Sequence, residues 1–172
     1  MMEGPRPELL LHPQIPKPLH GVAPRVVLGD KWWDRERFKA YAVSGQRCWA
    51  CWVPKSEAKF HQWLEAHEAY KIDYQNGRMT LVEVVALCHM CHNFIHLGRL
   101  SMLVRQGKAT EEFLQQVEKH GQTVIKALHR PHPPTESADW QDWRLVVEGK
   151  EYGPSTNSYE DWAAGGWKNW NP

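Results

Sequence analysis

Two Cys-x-x-Cys pairs constrain this 172-residue chain more than any other feature, because they contain all four of its cysteines. The pairs are Cys48/Cys51 and Cys88/Cys91. Two intervening residues allow a tight knuckle to direct both sulfurs to one ion, and two knuckles complete a tetrahedral zinc site. The alternatives are four buried thiols or a redox pair. The pattern favours a closed structural zinc site that contributes folding energy and performs no chemistry.

The rest of the composition excludes several classes of protein. No apolar run is long enough to cross a bilayer, and the proline-containing N-terminus does not resemble a secretory signal. We therefore expect a cytoplasmic protein, in which paired cysteines bind metal more often than they form disulfides. A glycine-rich phosphate loop is absent from the sequence, so a dehydrogenase or kinase has no support.

Charge is distributed unevenly, although the net charge is only +1. Residues 1–55 carry nine Lys/Arg against five Asp/Glu, whereas residues 136–172 carry three against seven. The basic part is compatible with contacts to nucleic-acid phosphates but does not require them. For the acidic, tryptophan-rich tail three roles are open: packing on the domain, binding a protein partner, or shielding the basic surface.

Composition divides the chain into three segments. Residues 1–29 are rich in proline and lack periodicity, so we predict an extended N-terminal arm. Residues 30–130 contain both cysteine pairs and form the predicted domain. Residues 131–172 are predicted to be a linker followed by the acidic extension, in which "WRLVVEGKEYGP" is typical of a β-hairpin.

Within the domain, a hairpin is predicted between the two cysteine pairs, and a helix is predicted to begin within the second pair. Asn76-Gly77 is a strong turn signal, and it predicts strands over about Leu64–Tyr74 and Arg78–Val82. A helix is predicted from His89 to about Arg105. Thr110 is typical of the N-cap of a further helix. Together these elements predict an α+β chain.

His92 and His96 follow the second cysteine pair at a spacing that places both on one helix face. At about 100° per residue, Cys91 faces roughly 120° away from them. One helix can therefore offer a sulfur to zinc on one side and two imidazoles to a second metal on the other. Surface or packing histidines are the alternative.

His67 lies on the first predicted strand and is flanked by Glu65 and Glu68. A histidine can take a proton from water because its pKa lies near neutrality. It can instead be a third metal ligand, or a solvent-facing strand residue.

This combination resembles the HNH endonucleases, whose fold is the ββα-metal or His-Me finger. The resemblance covers about residues 47–100, and "WLEAHEAY" with "ALCHMCHNFIHLGR" is especially similar to HNH proteins of phages and bacteria. It implies a small ββα-metal core with zinc knuckles. Flanking helices and the C-terminal β-hairpin complete the predicted fold.

The resemblance also implies an activity, the metal-dependent hydrolysis of DNA phosphodiester bonds by nicking or cutting. His67 matches the general base that activates water, and His92 and His96 match the ligands of a catalytic divalent ion, such as Mg²⁺, Mn²⁺, Ni²⁺ or Zn²⁺. The four cysteines match structural zinc knuckles. The helix beginning near His89 is expected to lie against the DNA backbone.

Two positions depart from the family pattern. Ala66 stands where the family usually has an Asp or His ligand, and Glu83 stands where it usually has an Asn that fixes the loop. Three alternatives follow: Glu65 or Glu68 completes the metal shell, His67 is itself a ligand and another group is the base, or catalysis is weak or lost.

The last alternative defines a second function, a zinc-stabilised module that binds nucleic acid or protein without catalysis. Tryptophans in a basic setting can stack on bases. The candidates are Trp32, Trp33, Trp49 and Trp52. Packing around a small core is the interpretation we prefer for them.

Overall fold

The computed structural model describes residues 4–135 and 137–172. Over these residues the fold is α+β, with six α-helices and one four-stranded sheet of order β1-β2-β3-β4. The helices are α1 Pro24–Leu28, α2 Asp30–Val43, α3 His89–Ile95, α4 Leu97–Arg105, α5 Glu111–Ile125 and α6 Tyr159–Ala163. The strands are β1 Glu65–Asp73, β2 Arg78–Leu87, β3 Arg144–Val147 and β4 Lys150–Tyr152. None of the helices in the described ranges has the length and apolarity that crossing a membrane requires.

The described residues form two compact units, each built from three segments. Among the described residues, the first unit takes 4–12, 37–67 and 84–130, and the second takes 13–36, 68–83, 131–135 and 137–172. All four cysteines and His67, His92 and His96 belong to the first unit. The predicted partition of the sequence at residues 29 and 130 stays a prediction.

The N-terminal segment differs from the predicted extended arm. Pro7–Leu11 and Lys17–Leu19 are 3₁₀ turns, and α1 is Pro24–Leu28. Each element has a proline in its first two positions, where the fixed φ of proline suits a helical turn and its missing N–H costs nothing. Leu10 and Leu19 are buried. The prolines therefore start turns, and the expectation of an extended chain is corrected.

The predicted hairpin is present as β1 and β2, which are neighbours in the sheet. Gly77 has φ +66°, and the Asp73 carboxylate accepts hydrogen bonds from the backbone N–H groups of Gln75 and Asn76. Strand β2 continues beyond the predicted end, through the apolar run that reaches Leu87. This extension matters for the site because it leads directly into Cys88.

The C-terminal strands also form as predicted. Strand β3 pairs in parallel with β2, and β4 pairs antiparallel with β3. Several tryptophans pack within the second unit: Trp143 is buried, the indole N–H of Trp32 donates to Glu148 (2.8 Å), and that of Trp162 donates to His20 Nδ1 (3.0 Å). Packing is therefore confirmed for Trp32, and part of the tail packs onto residues of its own unit.

The helix predicted from His89 to Arg105 is broken into α3 and α4. His96 lies at the junction with φ −96° and ψ 33°. The hydrogen bonds from His96 N to His92 O (3.2 Å) and from Leu100 N to His96 O (3.0 Å) continue across it. His92 and His96 therefore remain one turn apart.

Helix α5 packs against α3 at a glycine. As predicted, Thr110 is the N-cap, and its hydroxyl accepts a hydrogen bond from Phe113 N (3.2 Å). Gly121, a weak point by propensity, is buried against the ring of Phe94: a Cβ at this position would lie 2.0 Å from Phe94 Cδ2. The missing side chain therefore allows α5 to approach the helix that carries His92.

Replacing Gly121 with alanine is expected to destabilise the protein by about 1–2 kcal/mol. Overpacking costs about 1–3 kcal/mol, which is offset in part by up to about 1 kcal/mol gained from the better helix propensity of alanine. Urea unfolding measures the effect. The matched control is Gly98→Ala in α4, where nothing lies within 4 Å of the added Cβ, so stability should be unchanged or increased. Equal behaviour of the two variants would contradict close packing at Gly121.

Candidate metal centre

The four cysteines lie together in the first unit and can bind zinc. Their sulfurs all lie within 4.8 Å of one another, and no disulfide joins them. The Cys51 and Cys88 sulfurs are 3.7 Å apart. A regular tetrahedron with Zn–S bonds of about 2.3 Å has an edge of about 3.8 Å. The observed spacing therefore fits two ligands of one tetrahedral ion.

Backbone hydrogen bonds bring the two knuckles together. Cys48 N donates to Val53 O (2.9 Å) and Trp52 N donates to Cys48 O (2.8 Å), which closes the first knuckle. Trp49 N then donates to Ala86 O (2.9 Å), at the end of β2 and two residues before Cys88. The end of β2 therefore places the second cysteine pair next to the first.

The pKa values of the four thiols also indicate that this cluster can bind a cation. Hydrogen bonds from the thiols of Cys51, Cys88 and Cys91 lower the pKa of Cys48 far below its ordinary value. The pKa of the Cys91 thiol is raised because it shares its proton with the other three sulfurs. Four sulfurs this close cannot all ionise without a compensating positive charge, and a divalent ion supplies that charge.

His120 contacts this cluster and was not identified from the sequence. Its Nε2 lies 3.2 Å from Cys91 Sγ, and α5 carries it there. An N–H group at this position can donate to a metal-bound thiolate, in the way that outer groups orient and stabilise metal ligands. No spacing rule links two residues separated by a helix and a loop, so only the fold reveals the contact.

The structure also brings His67, His92 and His96 together. Each offers one ring nitrogen, and the three nitrogens lie within 4.8 Å of one another. The ring centroids are 4.9 Å apart for His67 and His96, and 4.8 Å apart for His92 and His96. His67 is only 5% exposed, so it is not a solvent-facing strand residue. His12, from the N-terminal segment, packs edge-on against it at 4.7 Å.

Glu65 contacts this histidine group through His92. One carboxylate oxygen lies 3.1 Å from His92 Nδ1, and the other lies 3.1 Å from His89 Nδ1. Glu65 and His67 are two residues apart in β1, so both side chains face the same side of the strand. Burial raises the pKa of Glu65, but hydrogen bonds from His92 and His89 outweigh it and lower this pKa to about 2. Glu65 is therefore a carboxylate at neutral pH.

The other expected acidic residue is placed differently. Glu68 belongs to none of the three clusters of potential metal ligands that the described residues form. Because it follows His67 directly in β1, its side chain leaves the opposite face of the strand. Ala66 and Glu83 lie in β1 and β2 and are likewise absent from these clusters.

Burial lowers the pKa of His96 to about 4. Electrostatic interactions with His92, His12 and Arg99 lower this pKa further. Glu65 opposes them. At neutral pH the imidazole of His96 is therefore uncharged, which is the form that binds a metal ion.

This low pKa predicts a dependence of stability on pH. The ordinary value is 6.5, so between pH 6.5 and about 4 the unfolded chain binds a proton at His96 that the folded chain does not. The stability due to neutral His96 is complete above pH 6.5 and is lost on acidification through that interval. Relative to wild type, His96→Gln should show a shallower fall in the free energy of unfolding. Urea unfolding at several pH values, with zinc content checked at each, measures it, and parallel curves would contradict the prediction.

Searches of protein-family models, of curated proteins and of solved structures find no match to this chain.

Proposed function

We propose that this protein is a metal-dependent endonuclease of the HNH type, which hydrolyses DNA phosphodiester bonds. The observation that carries the proposal is the convergence of His67, His92 and His96 beside a cluster of four cysteines. Helix α3 begins directly after Cys88, and it carries Cys91 and His92 at adjacent positions. In this proposal the four sulfurs bind a structural zinc ion, and the neighbouring imidazoles bind the catalytic metal ion.

The donor set fits a divalent transition metal at the imidazole site. Neutral imidazole nitrogens suit Zn²⁺, Ni²⁺, Co²⁺ and Cu²⁺, whereas Mg²⁺ prefers oxygen ligands. In the proposal His92 and His96 hold the ion. When bound, it supplies positive charge that stabilises the phosphate oxygens and the leaving 3′ oxygen. We therefore expect Ni²⁺ or Co²⁺ to support activity better than Mg²⁺.

Proton transfer and the orientation of the metal ligands are performed by the protein's own side chains. His67 accepts a proton at a ring nitrogen from the attacking water, as a general base. Glu65 accepts a hydrogen bond from His92 Nδ1–H, which leaves the other nitrogen of that ring free to ligate. This contact gives Glu65 a part in the site even though Ala66 replaces the usual ligand.

The test uses the full chain with its zinc in place. Supercoiled plasmid is incubated with the protein and Mn²⁺, Ni²⁺, Co²⁺ or Mg²⁺, or with no added metal. Nicked or linear plasmid that appears only with added metal supports the endonuclease. Intact plasmid with every metal would refute it.

A second function is a zinc-stabilised module that binds nucleic acid or protein without catalysis. Ala66 and Glu83 favour it, since they replace a metal ligand and a loop-fixing Asn in the family pattern. Retarded migration of plasmid fragments without cleavage would support binding to nucleic acid. Binding of a protein partner by the C-terminal extension would be supported if the partner binds the full chain but does not bind a variant whose exposed acidic tail residues are neutralised.

A further inference from the structure

A second histidine cluster lies next to the first and shares Glu65 with it. His61, Glu65 and His89 each offer one ligand atom, and these atoms lie within 4.8 Å of one another. Glu65 Oε1 is 3.1 Å from His89 Nδ1 and 3.7 Å from His61 Nε2. Two imidazoles and one carboxylate are a common donor set for Zn²⁺ and for other divalent first-row metals.

The two imidazoles of this cluster pack against aromatic neighbours. The ring of His61 is stacked in parallel on Trp63 with centroids 3.5 Å apart. The ring of His89 is stacked on Phe113 with centroids 5.5 Å apart, and Phe60 packs against both His89 and Phe113. Ligands whose rings are fixed before binding lose little conformational entropy when a metal arrives.

His61 lacks the hydrogen bonds that a buried imidazole normally has. Its side chain is 12% exposed, and Nδ1 is buried without a hydrogen-bond partner among the described residues. Its Nε2 lies 3.7 Å from Glu65 Oε1, which is beyond the usual length of a hydrogen bond. Because Nδ1 is buried and Nε2 faces Glu65, Nε2 is the ring nitrogen that a metal ion between His61, Glu65 and His89 would bind.

We propose that His61, Glu65 and His89 form a second, previously unassigned site for a divalent transition-metal ion. Glu65 then links the two imidazole sites, because both of its oxygens lie close to His89 Nδ1 (3.1 and 3.2 Å), and Oε2 also lies 3.1 Å from His92 Nδ1. The cluster is partly open to solvent, with Glu65 24% and His89 26% exposed, so an ion and its remaining water ligands have access. This site does not depend on the endonuclease proposal, since it requires only that the three donors bind metal.

Equilibrium dialysis of the zinc-loaded full chain against Co²⁺, followed by elemental analysis of zinc and cobalt, tests the site. Wild type should bind two Co²⁺ ions per chain in addition to its zinc. His61→Gln should bind one, and His96→Gln should also lose one, from the other site. The matched control is His129→Gln, an exposed histidine outside the three metal-capable clusters, which should still bind two.

The result that would overturn the proposal is an equal cobalt content in wild type and His61→Gln. Urea unfolding and zinc content of each variant show that it is folded. If His61→Gln does not fold, His89→Gln replaces it in the comparison. DNA cleavage is not a readout, so inactive protein that binds two Co²⁺ ions would refute the endonuclease and still support this site.

Discussion

Replacing Cys88 with serine is expected to release zinc and unfold the first unit. Structural zinc in small domains contributes about 10–16 kcal/mol of apparent binding energy, which is as large as the whole stability of a typical domain. Cys88 is buried and lies at the end of β2, where it joins the strand to α3. Elemental analysis should show less than one zinc per chain, and circular dichroism should show loss of helix.

The matched control is Cys88→His, which keeps a zinc ligand at the same position and produces a Cys₃His donor set. It should retain zinc and most of its helix. A Cys88→Ser protein that remains folded with one tightly bound zinc would contradict the assignment of the four cysteines to a structural ion.

The second large effect is on cleavage. Under the endonuclease proposal, His67→Ala and His96→Ala should each reduce metal-dependent plasmid cleavage by at least about 100-fold, because general-base catalysis alone contributes about 10²–10⁴-fold. The two variants should differ in metal binding. His67→Ala loses the proton acceptor and keeps the ion on His92 and His96, whereas His96→Ala loses a ligand and weakens Mn²⁺ or Co²⁺ binding.

Zinc content should be unchanged in both variants, since neither residue belongs to the sulfur cluster. His129→Ala is the control for removing a histidine, because His129 is exposed and lies outside all three metal-capable clusters. If His67→Ala loses cleavage and metal together, His67 is a ligand and another group is the base. If both variants cleave as well as wild type, the proposed chemistry is wrong.

Much of the fold follows from local signals in the sequence. The Asn76-Gly77 turn and the Thr110 cap act over a few residues, so their elements appear where they are predicted. The break at His96 and the N-terminal turns were missed. The sequence contains no strong breaker at His96, and the prolines of the N-terminal segment are compatible with both extended chain and first helical turns.

The site was only partly predictable for a related reason. Cys48, Cys51, Cys88 and Cys91 are recognisable by spacing, and the i,i+4 relation of His92 and His96 survives the break between α3 and α4. The contacts of Glu65 with His89, and of His120 with Cys91, join residues 24 and 29 positions apart. Such contacts depend on how β1, α3 and α5 pack, and no local pattern encodes them.

The relation between Gly121 and Phe94 gives the same lesson. From sequence, a glycine inside α5 is a cost of about 1 kcal/mol relative to alanine. In the fold it is the position at which α5 approaches α3, so the residue that weakens one helix improves the packing of two.

The most direct measurement is the location of bound metal by anomalous diffraction from crystals of the zinc-loaded protein soaked in Co²⁺. We expect a zinc peak among the four cysteine sulfurs and a separate cobalt peak within about 2.1 Å of ring nitrogens of His92 and His96. Cobalt density absent from these imidazoles, or imidazoles of His67, His92 and His96 that point away from a common centre, would contradict the proposal that α3 serves one structural and one catalytic ion.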